Sequence, residues 1–177
     1  MPRIPLIEDL TTGPIPAGSN ILVEFDPASQ WYNASITIAA GWLKSGGSVN
    51  YQVYTRPPDS VHFQLGQLGV RTEQLKEDKL EIHDWYTLTL GQKREQRQSD
   101  ASPSTARGDI TRGPPAESLK VADLSIYFAR QLMPLSQEPE FLLIEDNLSV
   151  LDRFNDEKSW VELYLTRRIP ASSKRRI

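Results

Sequence analysis

The amino-acid sequence predicts an α/β protein with a mostly parallel central sheet and helices on both faces. Four short apolar runs, at residues 21–25, 49–54, 80–85 and 141–145, have the length and composition of buried strands. Patterns typical of helices lie between these runs, and strands that alternate with helices favour a parallel sheet. The length of 177 residues fits one domain with a single sizeable core.

Four amphipathic helices are predicted, each with apolar residues at the spacing of one helical face. They lie at about residues 34–44, from near residue 59 to 68, and at about 117–133 and 156–168. Asp59 is the candidate N-cap of the second helix, and Pro134 and Pro170 end the third and the fourth. The apolar positions on these faces are Ile36, Ala39, Ala40, Leu43, Val61, Leu65, Leu68, Val121, Leu124, Phe128, Leu132, Trp160, Leu163 and Tyr164.

The stretch 91–116 has a different composition from the rest of the chain. It is rich in Gln, Ser, Arg, Gly and Pro, and Ile110 is its one large apolar residue. Such a segment cannot bury enough apolar surface to offset its ordering entropy, so it is predicted to be a mobile insertion. Residues 1–170 are therefore interpreted as a single domain, with a basic tail at 171–177.

Composition excludes several classes of site. The chain has no cysteine and two histidines, which leaves little material for a thiolate or histidine metal centre. No apolar run is long enough for a membrane span, and no secretory leader is recognised, so a cytoplasmic location is expected. The net charge is −3, and only the tail, with five bases and no acid from Thr166 onward, suits contact with nucleic-acid phosphates.

Residues 25–32 stand where a phosphate-binding loop is expected, between the first predicted strand and the first predicted helix. The P-loop motif is G-x-x-x-x-G-K-[ST], in which backbone N–H groups and the lysine hold phosphates and the hydroxyl holds Mg²⁺. Here Phe25 and Gln30 take the glycine positions, Trp31 the lysine position and Tyr32 the hydroxyl position. The eight residues of this loop position are Phe25, Asp26, Pro27, Ala28, Ser29, Gln30, Trp31 and Tyr32.

Further segments follow in a recognisable order. They are IPLIEDL at 4–10, GPIPAGS at 13–19, VNYQVYT at 49–55, LEIHDWY at 80–86, and FLLIED at 141–146 followed by Leu148 and Ser149. In order and spacing, these segments resemble the KaiC-like branch of the RecA superfamily of P-loop ATPases, over residues 4–154.

The resemblance implies a RecA-like three-layer fold that is shortened at the carboxyl side, because the family continues through further strands after its Walker B strand. It implies that residues 25–32 are a degenerate Walker A position and that Glu145 or Asp146 takes the Walker B position. The family's acidic pair after the second strand falls on Arg56 and Pro57, and neither can act as a general base. ATP hydrolysis is therefore not expected, and neither is any cofactor.

Each candidate residue has a functional and a structural interpretation. Glu145 and Asp146, at a strand's carboxyl end, either hold Mg²⁺ or cap the next turn. Trp31 and Tyr32 either stack on a ligand or anchor a partner protein, or else Trp31 fills the space of the absent nucleotide. The structural interpretation is preferred in both cases.

Other polar residues are expected to play structural parts. Glu24, Asp26 and Asp84 are predicted to form a solvated acidic edge, although paired carboxylates can also carry acid–base chemistry. His83 is expected to be a packed histidine, and Arg56, beside two prolines, a residue of a surface loop.

The preferred function is a non-catalytic KaiC-like domain that acts as a cytoplasmic regulatory or scaffolding module in signal transduction, with a protein partner that is an active paralogue or a second copy of the chain. One alternative is a nucleotide- or small-ligand-binding protein that uses Glu145 or Asp146 on a metal and Trp31 as a stacking surface, with ATP and Mg²⁺ as its cofactors. A second alternative is a DNA-associated protein that acts through the basic tail and the insertion.

Overall fold

The chain is described by a computed structural model, which covers residues 4, 6–9, 15–16, 18–26, 28–75, 79–90, 111–112, 118–127, 129–130 and 140–165. Four parallel strands form one sheet in the order β3-β2-β1-β4. The strands are β1 (Ser48–Val53), β2 (Leu80–Asp84), β3 (Thr111–Arg112) and β4 (Phe141–Glu145). The predicted α/β class and the parallel sheet are thereby confirmed.

Five α-helices are present in the described part of the chain. They are α1 (Trp31–Lys44), α2 (Pro58–Gln67), α3 (Tyr86–Thr89), α4 (Val121–Tyr127) and α5 (Glu157–Leu163). Two 3₁₀ helices, Thr72–Gln74 and Leu148–Arg153, complete the connections. Asp156 caps α5 by accepting the Ser159 N–H at 3.0 Å. Asp59 is not the N-cap of α2, because the helix begins at Pro58 and Asp59 lies in its first turn.

The sheet separates two apolar clusters, one on each face. Side chains alternate along a strand, so Val49, Tyr51 and Val53 of β1 point to the face covered by α1 and α2. Tyr54 and Trp85 belong to the cluster on the opposite face, with residues of α4 and α5. All six residues of β1 are buried, as expected for a parallel strand that has a neighbour on either side and helices over both faces.

One of the four predicted strands was wrong. Residues 21–25 do not form a strand, and Leu22 is 87% exposed. Apolar, β-prone composition produces a strand only where a neighbouring strand supplies backbone partners, and here none of the described strands pairs with this run. In the predicted mobile insertion at 91–116, Thr111–Arg112 pairs with β2. The rest of the insertion and the tail lie outside the described residues.

No helix in the described ranges is both long enough and apolar enough to cross a membrane.

Candidate functional site

The carboxyl ends of β1 and β4 meet at the place where ligands bind in many open α/β sheets. Gln52 of β1 lies beside Glu145 of β4 in the parallel register. After β1 the chain continues into α2 on the first face, whereas after β4 it continues toward α5 on the second face. The two connections diverge, and such a divergence marks the topological switch point of an α/β sheet.

Asp146, the residue after β4, is buried at this point and is held by the turn that follows β1. Its Oδ1 accepts the Tyr54 N–H at 2.9 Å, and its Oδ2 accepts the Thr55 hydroxyl at 3.1 Å. Arg56 Nε lies 3.8 Å from Oδ2, which makes an ion pair. Burial raises the pKa of Asp146 above its ordinary value, and the Tyr54 N–H, the Arg56 charge and the Thr55 hydroxyl oppose the rise.

Asp146, Thr55, Arg56 and Tyr51 form a polar cluster, called here the Asp146 cluster. Arg56 is therefore not the surface-loop residue that the sequence predicted. Its side chain is 11% exposed, its Nη2 donates to the Tyr51 hydroxyl at 2.6 Å, and its guanidinium lies over the ring of Tyr32. Burial lowers the pKa of Arg56 to about 9, although the Asp146 charge opposes the change. The group therefore keeps its positive charge at neutral pH. Adjacent prolines predict a turn, but they do not reveal that a carboxylate 90 positions later lies beside it.

A directed chain of hydrogen bonds runs from Arg56 back to the first turn of α1. Ser35 Oγ donates its one hydrogen to the Tyr32 carbonyl at 2.8 Å, so the Tyr51 hydroxyl must donate in its 2.6 Å contact with Ser35 Oγ. The Tyr51 oxygen is then free to accept from Arg56. Burial raises the pKa of Tyr51, and the nearby Asp146 charge raises it further, so the phenol stays protonated.

Glu145 and Asp146 do not act as a carboxylate pair, because consecutive residues of an extended chain point to opposite faces. Glu145 Oε1 accepts the Tyr164 hydroxyl at 2.5 Å, beside α5, whereas Asp146 faces Arg56 on the side of α1. No group of three potential His, Cys, Asp or Glu metal ligands occurs in the part of the chain that the structure describes. Magnesium bound by oxygen ligands requires several convergent donors, and these two carboxylates diverge.

Residues 25–32 do not follow a strand, and several of their backbone donors are paired within the segment. Asp26 Oδ1 accepts the Ala28 N–H at 2.7 Å, and the Asp26 carbonyl accepts the Ser29 N–H at 2.8 Å. Ser29 Oγ accepts the Trp31 N–H at 3.3 Å, and Gln30 Oε1 accepts the Asn33 side-chain amide. In a working P-loop such N–H groups face phosphate oxygens, but here the N–H groups of Ala28, Ser29 and Trp31 already have acceptors. Pro27 lies outside the described residues.

Trp31 and Tyr32 open helix α1 and have separate surroundings. Trp31 is half-buried, stacks on Phe25 with ring centroids 5.9 Å apart, and packs against the cluster under α1. Tyr32 lies under the Arg56 guanidinium, and its hydroxyl donates to Ser60 Oγ at 3.4 Å. The ring that contacts the cation of the Asp146 cluster is therefore Tyr32 and not Trp31.

The other polar candidates are distributed among structural contacts. Asp84 accepts the Thr87 N–H at 3.0 Å and so caps the first turn of α3. His83 is buried, with its Nε2 3.4 Å from a Glu81 carboxylate oxygen. Glu24 is exposed in the unpaired run at 21–25. These carboxylates do not gather into an acidic edge with Asp146.

A buried network of side-chain hydrogen bonds on the second face of the sheet was not predicted. The Gln52 side-chain carbonyl accepts the Trp85 indole N–H at 2.5 Å and the Tyr127 hydroxyl at 3.2 Å. The Gln52 amide donates to Asn50, whose own amide donates to Glu81 at 3.1 Å. Asn50 and Gln52 at alternate positions of an otherwise apolar strand were the available signal, because buried amides require partners.

No family model matches the chain, and neither a curated protein nor a solved structure matches it. The likeness to KaiC-like ATPases accordingly rests on the sequence segments and on the α/β architecture alone.

Proposed function

We propose that this chain is a non-catalytic RecA-like domain of the KaiC type that serves as a regulatory or scaffolding module in the cytoplasm, in signal transduction, and works through a protein partner. The observation that carries the proposal is the state of Asp146. The residue at the Walker B position is buried and has an N–H, a hydroxyl and a guanidinium of its own chain as partners. Binding of Mg²⁺ to this carboxylate would have to compete with these partners.

The loop gives independent support. Phosphate binding by a P-loop depends on unpaired backbone N–H groups and on a lysine, whereas here the N–H groups of Ala28, Ser29 and Trp31 have acceptors and Trp31 stands at the lysine position. The cation nearest the Walker B position is Arg56, which is held by Asp146 and Tyr51. The protein thus neutralises this carboxylate with a cation of its own. A site that is complete without a ligand favours a structural over a catalytic use of the fold.

The alternative of a ligand-binding protein receives less support. It needs Glu145 or Asp146 on a metal next to an accessible Trp31, whereas both carboxylates have internal partners and Trp31 is stacked on Phe25. The DNA-associated alternative depends on the basic tail at 171–177, which lies outside the described residues.

Isothermal titration calorimetry with Mg-ATP tests the proposal directly. We expect no saturable heat at ATP concentrations up to about 1 mM, whereas a micromolar dissociation constant, roughly −8 kcal/mol, would saturate well within this range. Micromolar binding by the wild-type chain would contradict the proposal.

A pair of arginine variants makes the opposite outcome interpretable. If ATP does bind and Arg56 is a phosphate ligand, Arg56→Ala should abolish the binding. Arg153→Ala removes an exposed arginine from the 3₁₀ helix after β4 and is the matched control. Loss of binding in the first variant but not in the second, with Arg56→Ala still folded by circular dichroism, would place the ATP phosphates at Arg56 and favour the ligand-binding alternative.

A further inference from the structure

Helix α2 carries two features on its solvent side that the fold of one chain does not require. Phe63 is 66% exposed, although it lies in the middle of the helix. Gly66 lies one turn later, and a Cβ placed on it meets no described atom within 4 Å. Gly66 has no left-handed backbone that would call for glycine. Gly66 is the penultimate residue of the helix, where a glycine costs up to about 0.5–1 kcal/mol relative to alanine, and no described contact requires it there.

Phe63 and Gly66 occupy the same face of α2. Successive helical residues turn by about 100°, which places positions 63 and 66 within about 60° of each other. The buried residues Val61 and Leu65 lie on the opposite face, against the cluster under α1. The outward face of α2 therefore presents the exposed ring of Phe63 beside Gly66, which has no side chain.

We propose that α2 is the contact surface of a two-fold symmetric dimer of this chain, in which the helix packs antiparallel to its counterpart. A two-fold axis between positions 63 and 66 places each Phe63 ring over Gly66 of the other copy. Such an interface is self-complementary, as two-fold symmetry requires: residue i contacts j, and j contacts i. The missing side chain at Gly66 lets the two helices approach closely enough for the ring to cover the backbone.

The charges at the two ends of α2 favour the antiparallel arrangement. Asp59 is exposed in the first turn of the helix. Two cations lie near the other end of the helix. The Lys44 ammonium is 3.7 Å from the position that a Cβ on Gly69 would occupy, and Lys44 and Arg71 both line an open cavity of about 340 Å³. Antiparallel packing brings Asp59 of one copy toward the two cations of the other, twice per dimer. The helix dipoles are also opposed, which is favourable.

The size of the contact sets the expected strength. Each copy contributes one ten-residue helix and the flanking cations, which is at the small end of specific interfaces, so the dimer should be transient. Its dissociation constant is expected at roughly 10–100 µM, and Phe63 should supply most of the binding energy as a buried aromatic anchor. This inference concerns a surface apart from the Asp146 cluster and does not rest on the proposed function.

Sedimentation velocity of the full chain between about 1 and 300 µM tests the proposal across the expected dissociation constant. We expect the wild type to shift from one to two chain masses over this range. Phe63→Ala and Gly66→Leu should each weaken association by at least about tenfold, the first by removing the anchor and the second by filling its place. Ile126→Ala removes an exposed apolar side chain from α4 and should leave association unchanged.

Two further measurements decide the outcome. Gly66→Leu should unfold at the same or a higher denaturant concentration than the wild type, because the position is open, so loss of the dimer cannot be ascribed to misfolding. Asp59→Lys should weaken the dimer, and adding Lys44→Asp and Arg71→Asp should restore it. A chain that is monomeric at about 300 µM, or a dimer that Gly66→Leu leaves intact, overturns the proposal.

Discussion

The buried pair of Arg56 and Asp146 predicts a specific pattern of stability losses. Removing one partner of a buried ion pair leaves the other charge without compensation in a poorly solvated place, which costs about 3–5 kcal/mol. The Arg56 and Asp146 side chains are 11% and 3% exposed, so water cannot readily replace the missing partner. Both single variants should therefore destabilise the fold, but not equally.

The structure sets the order of the two effects. Arg56→Ala leaves the Asp146 carboxylate with two good donors, the Tyr54 N–H at 2.9 Å and the Thr55 hydroxyl at 3.1 Å. Its cost should lie at the lower end, at about 3 kcal/mol. Asp146→Ala leaves both a buried guanidinium without an anion and the Tyr54 N–H without an acceptor, and an unmet buried donor alone costs about 1–3 kcal/mol. Its cost should reach about 5 kcal/mol.

Equilibrium unfolding in urea, followed by tryptophan fluorescence and far-UV circular dichroism, measures these losses. The double variant should lose less than the sum of the single variants, with a coupling free energy of about 1–3 kcal/mol. Arg153→Ala, at an exposed position, should stay within about 0.5 kcal/mol of the wild type. If both single variants matched that control, or if Arg56→Ala were the more damaging, the reasoning about this pair would be refuted.

Three further outcomes follow from the described contacts. Gly47→Ala should destabilise the fold by about 1–3 kcal/mol, because its Cβ would lie 2.3 Å from the Trp42 indole nitrogen. Gly66→Ala lies at an open position and should stabilise the fold by up to about 1 kcal/mol. Chemical denaturation of the two variants and the wild type measures both changes. Tyr51→Phe, which removes the hydroxyl that accepts from a buried guanidinium, should cost about 1–3 kcal/mol in the same assay, and an unchanged midpoint would contradict the hydrogen-bond chain. The pKa of Asp146 is raised in the folded state, so the folded protein binds this proton more tightly than the unfolded chain does. The free energy of unfolding of the wild type, relative to Asp146→Asn, should therefore fall as the pH rises above about 4. Urea unfolding of both proteins at several pH values measures this difference, and a constant or rising difference would contradict the prediction.

The architecture was predictable where local pattern and tertiary context agree. The strands β1, β2 and β4 coincide with three of the four predicted apolar runs within one residue at each end. A buried strand in a parallel sheet is apolar on both faces, and the composition of the sequence reports this directly. The run at 21–25 has the same composition, but a strand also needs backbone partners, which no local pattern encodes.

The candidate site was only half predictable for the same reason. The sequence placed Asp146 at a strand's carboxyl end, because a strand's end is a local property. It could not place Arg56, whose burial depends on a carboxylate far along the chain. Nor could it show that Tyr32, and not Trp31, would lie against that arginine, because adjacent residues of a helix point about 100° apart.

The Asp146 cluster also bears on how a nucleotide could bind at all. A phosphate that entered the switch point would have to free Arg56 from Asp146 and from the Tyr51 hydroxyl, and Mg²⁺ would have to displace the donors on Asp146. If opening the pair costs about 3–5 kcal/mol, as the stability variants are expected to show, the apparent dissociation constant rises by about two to four orders of magnitude. A site with an intrinsic dissociation constant of about 1 µM would then bind with an apparent constant of about 0.1–10 mM. The stability of the internal ion pair and the affinity for ATP therefore depend on the same contacts. Arg56→Ala should lower the free energy of unfolding without creating ATP binding, because it also removes the cation that a phosphate would contact.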